Sequence, residues 1–173
     1  MKLLRLFTIV LFLITPSSLI FADIPHYLDF KYILNSSDAG KKAQDFLKST
    51  LESGLKNISK KEKKLVEEEK KIIGQKKVIS QDEYKKKVSA LREKVLNLQK
   101  ERNNLLESVA KNRAKAKEVL LKNLNPIVKD YMIEKKIRMV VDKKSLLLAD
   151  DKLDITKDIM NLLNQKLKTI NLK

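Results

Sequence analysis

Residues Tyr84–Val109 read YKKKVSALREKVLNLQKERNNLLESV. Within them Tyr84, Leu91, Leu98 and Leu105 recur every seventh residue, and Val88, Val95, Arg102 and Val109 form a second row four places on. The rows continue to Asn112 and Val119, and to Ala116. A seam of this period, sustained over several heptads, predicts a helix packed along one narrow face against another helix. The partner lies just upstream, where Leu51, Ile58, Leu65 and Ile72 share the period, with Leu55, Glu62 and Glu69 between them. Only Gly54 interrupts the stretch from Gly40 to Gly74, and no Gly or Pro interrupts that from Gly74 to Pro126. Between the two stretches, Gly74 offers a left-handed cap, and Ser80 with Glu83 offers a capping box. The chain is therefore expected to fold back at a tip near 74–80. That brings Leu65 near Leu91, Ile58 near Leu98, and Leu51 near Leu105. Residues 41–120 would form an arm about 50 Å long.

Some positions admit two readings. Glu62, Glu69 and Arg102 sit on the seam either to fix its register or to snorkel at its edge. Gly54 costs about 1 kcal/mol against Ala inside a helix and is either a flex point or merely tolerated.

The ends read as a small body, in 23–40 and 121–173. Ile24–Tyr32 suits a strand with Pro25 near its start, and His26 is expected on that strand's surface. Asn35, Ser36, Ser37 and Asp38 offer N-caps for the first arm helix. Asn125-Pro126 reads as an N-cap followed by Pro at the first helical position, the alternative being a kink in one continuous helix. Ile137–Asp142 and Ser145–Ala149 flank Lys143-Lys144 as a β-hairpin. Asp154 or Thr156 then caps a last helix with an apolar face of Ile155, Ile159, Leu162, Leu163, Leu167 and Ile170. The fold class is thus α+β: a long antiparallel coiled-coil hairpin on a small antiparallel β body with a C-terminal helix. A body of roughly 71 residues is marginal as an independent core, so it is expected to complete itself by oligomerising, the alternative being a monomer whose last helix covers the sheet. Leu28, Phe30, Ile137, Met139, Val141, Leu146 and Leu148 are the candidate body and oligomer core.

Residues 1–22 read as a cleavable secretory signal. Lys2 and Arg5 precede an apolar run from Leu6 to Ile14, Pro16, Ser17 and Ser18 break it, and Ala22 suits the cut. The run is short of the ~20 residues that span a bilayer. Export would place the mature chain outside the cytoplasm, away from nucleotides.

Composition narrows the chemistry. The 173 residues contain no Cys and one His, which removes disulfides, thiolate nucleophiles and histidine metal clusters. Three Gly and no G-x-x-x-x-G-K-[ST] leave no phosphate-cradling loop. Glu67–Glu69 is a helical charge run and Asp150-Asp151 a loop before a helix, so no carboxylate pair suggests an enzyme. No metal or other cofactor is implied. Basic residues number 38 against 22 acidic ones, a net charge of +16. Residues 41–120 hold 23 of the basic and 12 of the acidic groups. The densest clusters are Lys60, Lys61, Lys63 and Lys64 in mid-arm, and Lys76, Lys77, Lys85, Lys86 and Lys87 around the tip. These are candidates for binding acidic clients or anionic surfaces, against the plainer reading of a solvated Lys-rich face; 33 of the 38 basic residues are Lys. A specific nucleic-acid role is disfavoured. Beyond the signal the aromatics are only Phe30, Phe46, Tyr27, Tyr32, Tyr84 and Tyr131, with no stacking platform.

Ile137-Arg-Met-Val-Val-Asp142 followed by Asp154-Ile155-Thr156, with Tyr27-Leu-Asp29 near the start, resembles the strand–hairpin–helix ending and first strand of the Skp/OmpH family of periplasmic chaperones. The signal segment, helical hairpin and lack of Cys agree, and the resemblance covers essentially the whole mature chain. It implies a jellyfish-like homotrimer whose arms enclose a cavity for unfolded outer-membrane proteins, held without ATP. Contact with anionic lipid or lipopolysaccharide is a further implication, although no lipid-binding motif matches closely enough to carry residues across. The alternative is an exported coiled-coil spacer with a basic tip that binds anionic surfaces.

Overall fold

The computed structural model describes residues 24–172; the signal expected over 1–22 lies outside the described residues. Strand β1 (His26–Leu28) leads into helices α1 (Phe30–Ser36), α2 (Asp38–Gln75) and α3 (Gln81–Glu134), then strand β2 (Val140–Asp142) and helix α4 (Thr156–Lys166). Helix α2 has 38 residues and α3 has 54. At about 1.5 Å per residue, α3 outruns its partner by roughly 24 Å. That excess, carrying Leu120, Leu124 and Ile127, enters the body. There it is buried with Leu28, Ile33, Ala39, Ile155, Ile159 and Leu163. The face expected on α4 is largely the one buried; only Leu162 of that set is exposed, at 37%.

Three expectations are corrected, and one choice between two readings is decided. The strand expected over Ile24–Tyr32 stops at Leu28, because Asp29 starts a helix instead: its Oδ1 accepts the Tyr32 N–H at 2.7 Å. The sheet is parallel, pairing Tyr27 with Val141, rather than antiparallel. A parallel pair needs a crossover connection, which here is the whole arm. No hairpin forms over 137–149: Lys143–Ser145 is a short 3-10 turn, with the Asp142 carboxylate accepting the Lys144 N–H at 3.1 Å. A two-residue hairpin turn of the favoured type needs positive φ at both central residues, a poor fit for Lys143-Lys144. Of the two readings of Asn125-Pro126, the continuous helix is the one found: Pro126 lies inside α3 and not at a helix start. The helix absorbs the lost hydrogen bond because Leu124 and Ile127 are buried on either side of it.

The tip also differs in detail. Gly74 has no positive φ. Helix α2 ends in tightened turns at Lys76, whose N–H donates to the Ile73 carbonyl at 3.2 Å. Ser80 does cap α3, accepting the Glu83 N–H at 3.2 Å. Of the caps offered before α2, Ser37 is the one used. It is fully buried and accepts the Gly40 N–H at 3.2 Å. Gly40 itself is required by a close approach, since a Cβ there would collide with the Leu34 carbonyl oxygen.

The two short motifs at opposite ends of the sequence meet in the body. The Tyr27 carbonyl accepts the Ile155 N–H at 3.0 Å, and Thr156 Oγ1 accepts the Asp29 N–H at 2.9 Å. Thr156 is thus spent on Asp29, the N-cap of α1, and does not cap α4. Nor does Asp154 hold the N-cap position, which falls on Ile155 with no side-chain cap bond; the Asp154 carboxylate accepts the Thr156 N–H at 2.9 Å. Tyr131 ties α3 to α4, its hydroxyl donating to Asp158 at 2.6 Å. Burial, together with that hydrogen bond and the Asp158 charge, pushes the Tyr131 phenol up to about 12.

Helix α3 ends through Lys136 at φ 56, with the Ile137 N–H reaching the Met132 carbonyl at 2.8 Å. A left-handed residue with a Cβ carries strain of about 1–2 kcal/mol. Lys136→Gly is therefore expected to raise stability by about 1 kcal/mol, and Gly40→Ala to lower it by about 1–3 kcal/mol, both read by urea unfolding. The raised Tyr131 pKa means that the unfolded chain loses this proton first as pH rises. Stability should fall between the ordinary value of 10 and about 12, and a spectrophotometric titration should lose its highest-titrating phenol in Tyr131→Phe.

Candidate functional site: the arm and the exposed body edge

Contacts between α2 and α3 step down one helix as they step up the other. Lys94 donates to Glu68 at 2.6 Å nearer the tip, and Lys61 to Glu101 at 2.6 Å nearer the body. Leu65 and Leu91 line one shared groove, as the heptads predict. Ile58, Ile72 and Leu98 are buried in the seam. Of the ambiguous seam residues, Glu62 and Arg102 pair across the helices at 3.2 Å, a contact that reports the register. Both remain nearly half exposed, so the pair adds little to stability. Gly54 is a hole: a Cβ there would strike the side chain of Leu105 from the facing helix.

The candidate lysines divide by environment. Lys61 is held by Glu101; Lys87 reaches Gln75 at 2.8 Å and Glu83 at 3.5 Å; and Lys76 lies 6.0 Å from the Tyr84 ring centroid. Lys60, Lys63, Lys64, Lys77, Lys85 and Lys86 are exposed, with no ion pair among the described residues. Lys60, Lys63 and Lys64 share one helix face.

Between the distal halves of α2 and α3 runs an open groove of about 720 Å³, lined by Leu65, Val66, Ile73, Leu91, Val95 and Leu96 among others. Val66 is 49% exposed, Ile73 57% and Leu96 62%. Sequence reasoning missed this surface. Its signal lay in the doublets Leu65-Val66, Ile72-Ile73 and Val95-Leu96, where the second apolar residue widens the stripe beyond what a two-helix seam can cover.

On the body, Leu28 is buried, Phe30 and Ile137 pack against the core, and Val141 and Leu146 are half-buried. Met139 is 57% exposed and Leu148 91%. Met139 immediately precedes β2 and Leu148 follows it in the chain; among the described residues β2 pairs with β1 alone. Among the described residues, no group of His, Asp and Glu is placed to hold a metal ion. None of the described helices is long and apolar enough to cross a membrane.

Residues 26–163 match the model of the family described as outer membrane protein (OmpH-like). The chain belongs to the OmpH-like family. Its fold is shared by an OmpH-like protein of Caulobacter crescentus CB15, described as a candidate outer membrane chaperone. The TM-score is 0.78 at 21% identity, over 86% of this chain and 89% of that one. No curated protein matches the chain. OmpH-like membership supports a chaperone role in general terms. The matched span starts at β1 and ends within α4, whose first residue, Thr156, bonds Asp29 just after β1.

The cross-helix ion pairs are exposed, so their coupling should be small and salt-sensitive. A double-mutant cycle on Glu68 and Lys94 is expected to give about 0.2–1 kcal/mol, shrinking as salt is raised to about 1 M.

Proposed function

We propose that this chain is an ATP-independent periplasmic holdase. It binds unfolded outer-membrane proteins between basic helical arms and keeps them from aggregating on the way to the outer membrane. The observation that carries this reading is the pairing, on one arm, of an exposed apolar groove with a surplus of unpaired Lys. Unfolded membrane-strand segments are apolar and need a greasy surface; long-range attraction to acidic stretches gathers them first. Many weak contacts around one chamber retain such a chain through effective concentration yet let it go. No catalytic step and no cofactor enters.

The working form is a homotrimer. The unpaired edge of β2 and the exposed Met139 and Leu148 supply the surface on which copies associate, together with Leu28, Phe30, Ile137, Val141 and Leu146. An edge strand flanked by exposed apolar side chains invites pairing with another chain. The long antiparallel hairpin of each copy then forms one wall of the chamber, and residues 1–22 direct export.

A basic tip that touches anionic lipid or lipopolysaccharide, in the manner of an exported spacer, is favoured by one observation. Val78 is 79% exposed between Lys76, Lys77 and the Lys85–Lys87 run.

Dilution of a urea-denatured outer-membrane barrel into buffer containing the chain from residue 23 onward is the test. The barrel is expected to stay soluble at stoichiometric chaperone. The Val66→Asp/Ile73→Asp variant should keep its helix content and lose most of that suppression, while Lys60, Lys63 and Lys64 changed to Gln should mainly slow capture at low salt. Equal precipitation with and without the native chain contradicts the proposal.

A further inference from the structure

Beyond α4 the chain does not trail into solvent. Residues 167–172 run back over the root of the arm. Lys168 Nζ lies 3.2 Å from the Asp38 carboxylate at the start of α2, and Asn164 Oδ1 accepts the Asp38 N–H at 2.8 Å. Ile170 packs against the body core and against a second cluster made of Ala43, Leu47 and Ala116. Leu172 is buried within that second cluster, only 6% exposed.

The spacing is that of an extended peptide. Lys168, Ile170 and Leu172 are two residues apart and so project to one side of an extended chain. From Lys168 to Leu172 such a chain covers about 13 Å, and from Asp38 to Leu47 a helix covers about the same. Ala43 and Ala116 leave the space between the helices into which Leu172 fits, and Asp38 marks the end that takes a cation. The segment lies beyond the 26–163 span matched by the family model.

We propose that the arm root is a binding site for an extended peptide carrying a cationic residue and then apolar residues two and four places on, with the chain's own 167–172 segment as its displaceable occupant. Burial of one Leu-sized side chain supports about a ten- to hundredfold preference for the closed state. That is enough to hold a tethered segment yet small enough to permit release. The claim stands whether or not the chain captures outer-membrane proteins, because its test contains none.

The test is hydrogen exchange on the otherwise intact chain lacking residues 167–173, with the full chain as reference. Amides in 41–48 and 112–118 should exchange about tenfold faster or more, while those in 120–127 and 155–163 keep their rates. A synthetic peptide spanning residues 164–172, added at up to millimolar concentration, should restore the slow rates; the same peptide with Ile170→Asp and Leu172→Asp should not. If the truncated chain fails to fold, Leu172→Asp in the full chain is read in the same way. Unchanged exchange, acceleration throughout the body, or no rescue by the native peptide each overturns the proposal.

Discussion

The narrow contact between α2 and α3 is the constraint on which the rest of the structure depends. Each helix offers one narrow stripe, at most two apolar positions per two turns, enough to zip two rods but not to bury them. Ile58, Ile72 and Leu98 are the points where the seam closes fully, and Gly54 receives Leu105 where two larger residues would hold the helices apart. Because the seam is narrow, both helices keep most of their circumference in water. That is where the lysines stand, and where Val66, Ile73 and Leu96 remain uncovered.

The same constraint shapes the body. With α2 and α3 paired over the shorter helix, the surplus of α3 becomes the central beam of the core, bringing Leu120, Leu124 and Ile127 under α1 and α4. The chain leaves β1 through one helix and returns by the other, so β2 meets β1 from the far end of a long crossover and pairs with it in parallel. What closes the body is then a handful of long-range bonds. Chief among them are those that join Tyr27 and Asp29 to Ile155 and Thr156. This small core leaves β2 paired on one side only among the described residues, and it leaves Met139 and Leu148, before and after that strand in the chain, exposed.

Much of this was legible in the sequence because heptads are a local code. Leu65 opposite Leu91 follows from two periodic rows and a turn, and Ser80 caps as its neighbours suggest. The body was read less well because its pairings are not local. Ile137–Ala149 has the look of a hairpin, yet β2 finds its partner more than a hundred residues upstream, and nothing in Leu146–Leu148 shows that no strand lies opposite. Asp29 as a helix cap was legible in principle, but the apolar pattern of Tyr27–Tyr32 outweighed it. Pro126 obeys the rule for a helix start and sits inside a helix all the same, because packing on both sides overrides the lost bond. On the arm, the groove went unread because the seam rows drew attention away from the residues beside them.

A body with an open edge and an arm with an uncovered face both point outward, to other chains. Native mass measurement of the chain from residue 23 onward, alone and with one denatured outer-membrane barrel, weighs that conclusion most directly. Three copies, and three copies holding a single barrel, are the masses the proposed trimeric holdase leads one to expect. A lone copy that forms no complex at any stoichiometry would contradict it.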